Sequence, residues 1–155
     1  LEAYRRALLN EPDDLNTILM TAHCCLDTSN YEEALKHYFR IEYEKPGNSK
    51  VLRPIAWCYI VTGKYAEAEK YFERLSETGL TPFDKINMGH LALCQGNTRK
   101  AAEHYLSAVA GGELTAEAFI NAFNDDVQVL TSNGVTPEDL PIVLDYVLMN
   151  LKKEN

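Results

Sequence analysis

The sequence predicts an all-α protein, a solenoid of stacked helical hairpins, on three observations. The phrase "NYEEALKHYF" at residues 30–39 returns almost unchanged as "KYAEAEKYFERL" at 64–75 and more loosely as "NTRKAAEHYLSAV" at 97–109. Placing Ala34, Ala68 and Ala102 in one column gives a step of 34 residues both times. A fixed period between about 20 and 50 residues is the mark of a stacked-repeat architecture. Within each copy the apolar residues recur at helical spacing, and each unit divides into two helices.

The opening "LEAYRRALLNEP" matches the tail of a further copy, so residues 1–14 are expected to close a truncated unit. Residues 15–48 form the next, with Ile18, Ala22 and Cys25 on its first helix and Tyr31, Ala34, Tyr38 and Ile41 on its second. In unit 49–82, Ser49 precedes "KVLRPIAWCYIVTG", whose Leu52, Ile55, Ala56, Tyr59 and Ile60 share an apolar side. Pro54 is expected near the first turn, where a missing N–H is tolerated. Gly63 then ends that helix, as a residue able to take a left-handed conformation should. The partner helix from Tyr65 buries Ala68, Tyr71, Phe72 and Leu75. Unit 83–114 offers Ile86, Leu93, Ala102, Leu106 and Val109, closed by Gly111 and Gly112.

Residues 115–155 drift from this pattern and are expected to form a divergent C-terminal helical pair. "TAEAFINAFNDDVQVLTSNG" is its first helix, capped by Thr115. Thr136, Pro137 and Asp139 offer a cap, a first-turn proline and a capping-box acid for the second, with Pro141 delaying the regular helix. That last helix is apolar on more than one face, through Leu140, Ile142, Val143, Leu144, Val147, Leu148, Met149 and Leu151. A terminal repeat should turn a polar side outward. The stretch 140–151 is therefore a candidate homodimer contact.

The repetition has a packing cause. Small Ala34, Ala68 and Ala102 let two helices cross closely, where a larger side chain would force them apart. Tyr4, Tyr38, Phe72 and Leu106 make a bulky column between neighbouring units. One hairpin cannot bury both of its faces, so each needs neighbours.

Composition narrows the function classes. With 155 residues, 46% hydrophobic, the chain can bury a substantial core and is too apolar for disorder. A net charge of −8 without a basic stripe argues against a nucleic-acid partner. No run approaches the roughly 18 apolar residues of a membrane span. The first residue, Leu1, stands partway through a unit, so a longer parent protein is expected and a missing signal peptide carries no information.

Cys24, Cys25, Cys58 and Cys94 show no CxxC pair and no His–Cys cluster in sequence. Cys24 and Cys58 share a column of neighbouring units, where helices roughly 8–10 Å apart hold the α-carbons too far apart for a disulfide. Small thiols in a reducing, cytoplasmic compartment are the expectation, with no metal and no cofactor. Catalysis has little support: His23, His37, His90 and His104 are scattered, and no metal-protease, phosphate-loop or nucleophile-elbow motif is present. Neighbouring carboxylates such as Glu32–Glu33 and Asp125–Asp126 point apart on a helix and are expected on solvated faces.

The period, the Tyr31/Tyr65 column, the alanine column, the bulky column and Pro12 and Pro46 at unit ends resemble the tetratricopeptide repeat (TPR) family over about residues 1–116. The sequence departs from it at the family's usual Trp, which is Ile18, Leu52 and Ile86 here, and at its common Gly, aligned with Ala22, Ala56 and His90. The third unit has Arg99 where the aromatic would stand. The resemblance implies a right-handed α-solenoid of TPR-like hairpins that binds a protein or peptide on its concave face, lined by the first helix of each unit. Spacing of i, i+3, i+7 and i+10 places Lys50, Arg53 and Trp57, then Asn87 and Leu91, then Asn121 and Asp125 on that face.

Arg53, Asn87 and Asn121 are expected to share one column. An Asn offers both a donor and an acceptor to an extended peptide backbone. Arg53 and Lys50 suit a carboxylate, and Trp57 gives an amphipathic surface. The bland alternative for each is a solvated groove side chain, with Trp57 partly packed. Some members of the family hold a C-terminal carboxylate with Lys and Asn on successive first helices, but Leu19 and His23 stand where the first would be and Asp84 opposes it. The expected function is thus a protein–protein interaction module without enzymatic activity. Its alternatives are a structural spacer or dimerisation element using the last helix, and a regulatory domain of a larger enzyme.

Overall fold

The structure, a computed structural model, describes residues 1–154, with side chains through Leu151. It contains ten α-helices and no strand among the described residues, and several helices adjacent in sequence pack on one another. None of these helices is long and apolar enough to cross a membrane. The expected terminal pair 115–155 ends at Asn155, which lies outside the described residues.

The chain divides into two compact units: Leu1–Thr62 with Glu67–Thr78, and Gly63–Ala66 with Gly79 onward. The first holds α1 (Glu2–Asn10), α2 (Leu15–Asp27), α3 (Tyr31–Glu44), α4 (Ser49–Val61) and most of α5 (Tyr65–Thr78). Its core gathers Ile18, Ala22, Cys25, Ala34, Tyr38, Ile41, Val51, Ile55 and Cys58. The second holds α6 (Pro82–Cys94), α7 (Thr98–Ala110), α8 (Ala116–Asp125), α9 (Val127–Ser132) and α10 (Asp139–Glu154). Its core is more aromatic, with Tyr105, Phe119 and Phe123 packed among Ile86, Leu130, Val143 and Val147. Each such fully buried large side chain contributes about 1.5–3 kcal/mol.

Short polar residues start the helices. Asp14 accepts from the Asn16 N–H at 3.1 Å, Asn48 from the Lys50 N–H at 3.0 Å and Thr115 from the Ala118 N–H at 3.1 Å. Thr81 and Asp84 close a reciprocal capping box, 3.1 Å and 2.9 Å. Each cap satisfies a backbone donor that the first turn would otherwise leave unpaired.

These caps correct the repeat register. Asp14, Asn48, Thr81 and Thr115 fall at steps of 34, 33 and 34 residues. The left-handed residues of the hairpin turns agree: Ser29 (φ 63°), Gly63 (φ 79°) and Gly96 (φ 80°). The missing residue comes from the link between α5 and α6, residues 79–81, against 45–48 between α3 and α4. Ala101, rather than Ala102, therefore corresponds to Ala34 and Ala68, and all three are fully buried. Tyr105, rather than Leu106, continues the column of Tyr38 and Phe72. Gly89, rather than His90, follows Ala22 and Ala56.

Three further expectations change. Pro54 lies inside α4, five residues past its start, rather than in the first turn. Its ring removes the N–H that would reach the Lys50 carbonyl. The segment 115–134 is two helices, α8 and α9, because the poor helix formers Asn124, Asp125 and Asp126 meet a turn in which the Asp126 N–H reaches the Phe123 carbonyl at 3.1 Å. The last helix starts at Asp139, after a turn in which the Asp139 N–H reaches the Thr136 carbonyl at 3.0 Å. Pro141 thus sits in its first turn, where the absent donor costs nothing.

Candidate functional site

On α4 the spacing i, i+3, i+7 puts Lys50, Arg53 and Trp57 on one side of the helix. Lys50 is exposed, and Arg53 and Trp57 are half-buried. That side joins two cations to the chain's single tryptophan. Behind it, Val51, Leu52, Ile55 and Cys58 are buried, so packing fixes the helix that carries the three side chains. Beside Tyr59 of the same helix, a run of tilted rings extends from Phe39 (6.2 Å) to Tyr71 (5.8 Å). Arg74 lies over the Tyr71 ring at 5.4 Å and pairs with Glu42.

In the second unit, Asn121 and Asp125 are exposed on α8 and Asn87 is half-buried on α6. Leu91 is only 5% exposed and belongs to the interior. The register explains this, since with the 33-residue step Leu91 corresponds to buried Cys58. Likewise Arg53 corresponds to buried Ile86 rather than to Asn87, whereas Asn87 and Asn121 remain equivalent. Asp84, 2% exposed, serves the capping box.

The same correspondence links Trp57 with His23 and His90. His23 Nδ1 meets the Tyr38 hydroxyl at 2.6 Å, and His90 Nδ1 meets the Tyr105 hydroxyl at the same distance. His90 Nε2 also lies 3.0 Å from Asp126 Oδ2, which ties α6 and α7 to the break between α8 and α9. Sequence reasoning missed this network. The signal was the separation of 15 residues shared by both His–Tyr pairs. Although Tyr–His–Asp is a chain of proton-transfer groups, His90 and Tyr105 are 0% exposed, and burial holds the Tyr105 hydroxyl far above its ordinary pKa. Its chemistry is that of a satisfied buried network that orients three elements.

The last helix carries the expected surplus of apolar surface. Leu140, Val143 and Val147 are buried, whereas Ile142, Tyr146 and Met149 are 65%, 53% and 62% exposed. These three lie at i, i+4 and i+7, one outward ridge. Ile142 and Tyr146 also border a groove of about 490 Å³ between α7 and α10, lined further by Arg99, Ala102, Glu103 and Leu106.

The thiols are free: Cys25 and Cys58 are buried, Cys24 and Cys94 half-buried. Burial pushes Cys25 and Cys58 up to about 12, for Cys25 with help from the Glu33 carboxylate. The expectation of no His–Cys cluster does not hold in three dimensions. The α2–α3 hairpin brings Cys25, Glu33 and His37 together, with ligand-type atoms all within 4.8 Å of one another. Cys25 donates to Glu33 Oε2 at 2.8 Å, and Arg5 of α1 donates to the same oxygen through Nη2 at 2.9 Å and Nε at 3.2 Å.

No protein-family model, curated protein or solved structure matches the chain.

Proposed function

We propose that this chain is a protein-interaction module of TPR-like hairpins that receives an extended peptide on the first helix of a hairpin. The observation that carries this reading is the outward side of α4, where Lys50, Arg53 and Trp57 stand on a helix whose opposite side is buried. Cations beside an indole suit a peptide with an acidic group and an apolar neighbour. Asn87 and Asn121, equivalent positions of α6 and α8, supply donors and acceptors for a peptide backbone within the second unit. The helical repeat supports the TPR-like reading, because Gly89 and Tyr105 restore the small and aromatic columns once the 33-residue step is recognised. A non-enzymatic role is supported by the full burial of Tyr105 and His90, which leaves only the partly exposed Asp126 of that chain near solvent.

The test is selection of a displayed random-peptide library against the chain, followed by affinities for Lys50→Glu, Trp57→Ala and the Asn87→Ala/Asn121→Ala pair. Selected peptides should be acidic and should lose about tenfold or more on Lys50→Glu, since removing one charge and adding its opposite is worth over 1.4 kcal/mol at a partly buried contact. Peptides that bind all three variants like the parent would place recognition elsewhere. A second reading has its own observation, the Ile142–Tyr146–Met149 ridge: α10 is a contact between two copies of the chain.

A further inference from the structure

We propose that Cys25, Glu33 and His37 form a binding site for a borderline divalent transition-metal ion of the Zn2+ type, set into the α2–α3 hairpin. Glu33 and His37 are four residues apart on α3, so they stand on one face of that helix, and Cys25 faces them from α2. Their ligand-type atoms lie within 4.8 Å of one another. Tetrahedral coordination at about 2.0–2.3 Å from the metal needs donors roughly 3.3–3.8 Å apart, so side-chain adjustment suffices. Sulfur, imidazole nitrogen and a single carboxylate select Zn2+ or Co2+ over Ca2+ or Mg2+, which favour all-oxygen shells.

Access comes from the outer members, since Glu33 and His37 are half-buried and Cys25 is 0% exposed. On binding, the Cys25 S–H bond breaks, its proton leaves to solvent and the sulfur electron pair goes to the metal. Arg5 is the competitor. Its guanidinium shares the Glu33 carboxylate and places a positive charge beside an incoming cation. Metal binding should therefore loosen the link that Arg5 makes between α1 and α3.

The experiment titrates the reduced, metal-free chain with Co2+, following the thiolate-to-cobalt charge-transfer band, with competition by Zn2+. One ion per chain should bind with that band. Cys25→Ser should abolish it, and His37→Gln should weaken binding by more than the roughly 10–100-fold typical of groups outside the coordination shell. Arg5→Ala should tighten binding by about tenfold or more, through the removed repulsion. Cys24→Ser should change nothing. Absence of the band in the folded parent, its persistence in Cys25→Ser, its loss in folded Cys24→Ser, or unchanged affinity in His37→Gln would each overturn the site. Should Cys25→Ser fail to fold by circular dichroism, His37→Gln and Arg5→Ala decide. Weaker binding in Arg5→Ala would also count against the site, because Arg5 would then be a supporting group rather than a competitor.

Discussion

Replacing Gly89 with alanine should damage the second unit, although alanine is the better helix former. A β-carbon on Gly89 would sit 2.4 Å from Cε1, 2.7 Å from Cδ1 and 2.8 Å from Cζ of Tyr105. Carbon pairs are comfortable at about 3.5–4.0 Å, so the ring has to shift by roughly 1 Å. It has little room to do so. Tyr105 is fully buried, its hydroxyl is bonded to His90 at 2.6 Å, and Phe119 and Phe123 rings flank it at 5.5 Å each. Overpacking costs about 1–3 kcal/mol, and stretching the His90–Tyr105 bond costs about 0.5–1.5 kcal/mol more. Helix propensity returns about 1 kcal/mol. The net expectation is a loss of about 0.5–3.5 kcal/mol, read as a fall of roughly 1–14 °C in the midpoint of thermal unfolding followed by circular dichroism. A midpoint equal to or above the parent's would refute the close approach of α6 to Tyr105, and with it the 33-residue step.

Thr81→Ala removes one side of the α6 capping box and should cost about 0.5–2 kcal/mol in urea unfolding, with Thr81→Ser restoring most of it. His104 is held below its ordinary pKa by burial, then by Lys100, with Glu103 opposing. Its neutral form supports the fold above the ordinary histidine range, and that support fades as pH falls below about 6.5, because the unfolded chain then takes the proton more readily. His104→Gln should accordingly lessen the drop in urea midpoint between neutral and mildly acidic buffer; an unchanged drop would assign the acid sensitivity to other groups. If α10 joins two copies, sedimentation should show a dimer for the parent and a monomer for Met149→Glu; a parent that stays monomeric at high concentration would end the second reading.

Much of this fold can be read in the sequence because packing imposes its chemistry once per layer. Ala34, Tyr38 and Ile41 are buried where Ala68, Phe72 and Leu75 are buried, and such a requirement leaves a visible phrase. The slip to 33 residues is hard to see because the third copy satisfies either register. Ala101 and Ala102 are adjacent, and Tyr105 and Leu106 are both bulky, so sliding by one leaves the hydrophobic pattern intact. The caps and turn residues carry the decisive signal, since only one register gives Thr81 and Gly96 their roles. The candidate site suffers from the same slip: on α4 Lys50 is exposed and Arg53 and Trp57 are half-buried, whereas Leu91 falls into the interior. The Cys25–Glu33–His37 cluster needs the crossing of α2 and α3, which spacing along one helix does not supply. The His90–Asp126 contact at the break between α8 and α9 joins residues 36 apart, which no local pattern announces.

The central claim is that the outward side of α4 receives a peptide. Trp57 is the chain's single tryptophan, so its indole N–H gives one resonance in a nitrogen–proton correlation spectrum. Titration with a peptide selected against the chain should move that resonance in proportion to occupancy, and Lys50→Glu should shift the midpoint to higher peptide concentration. A peptide shown by calorimetry to be bound while the Trp57 resonance stays fixed would contradict the account.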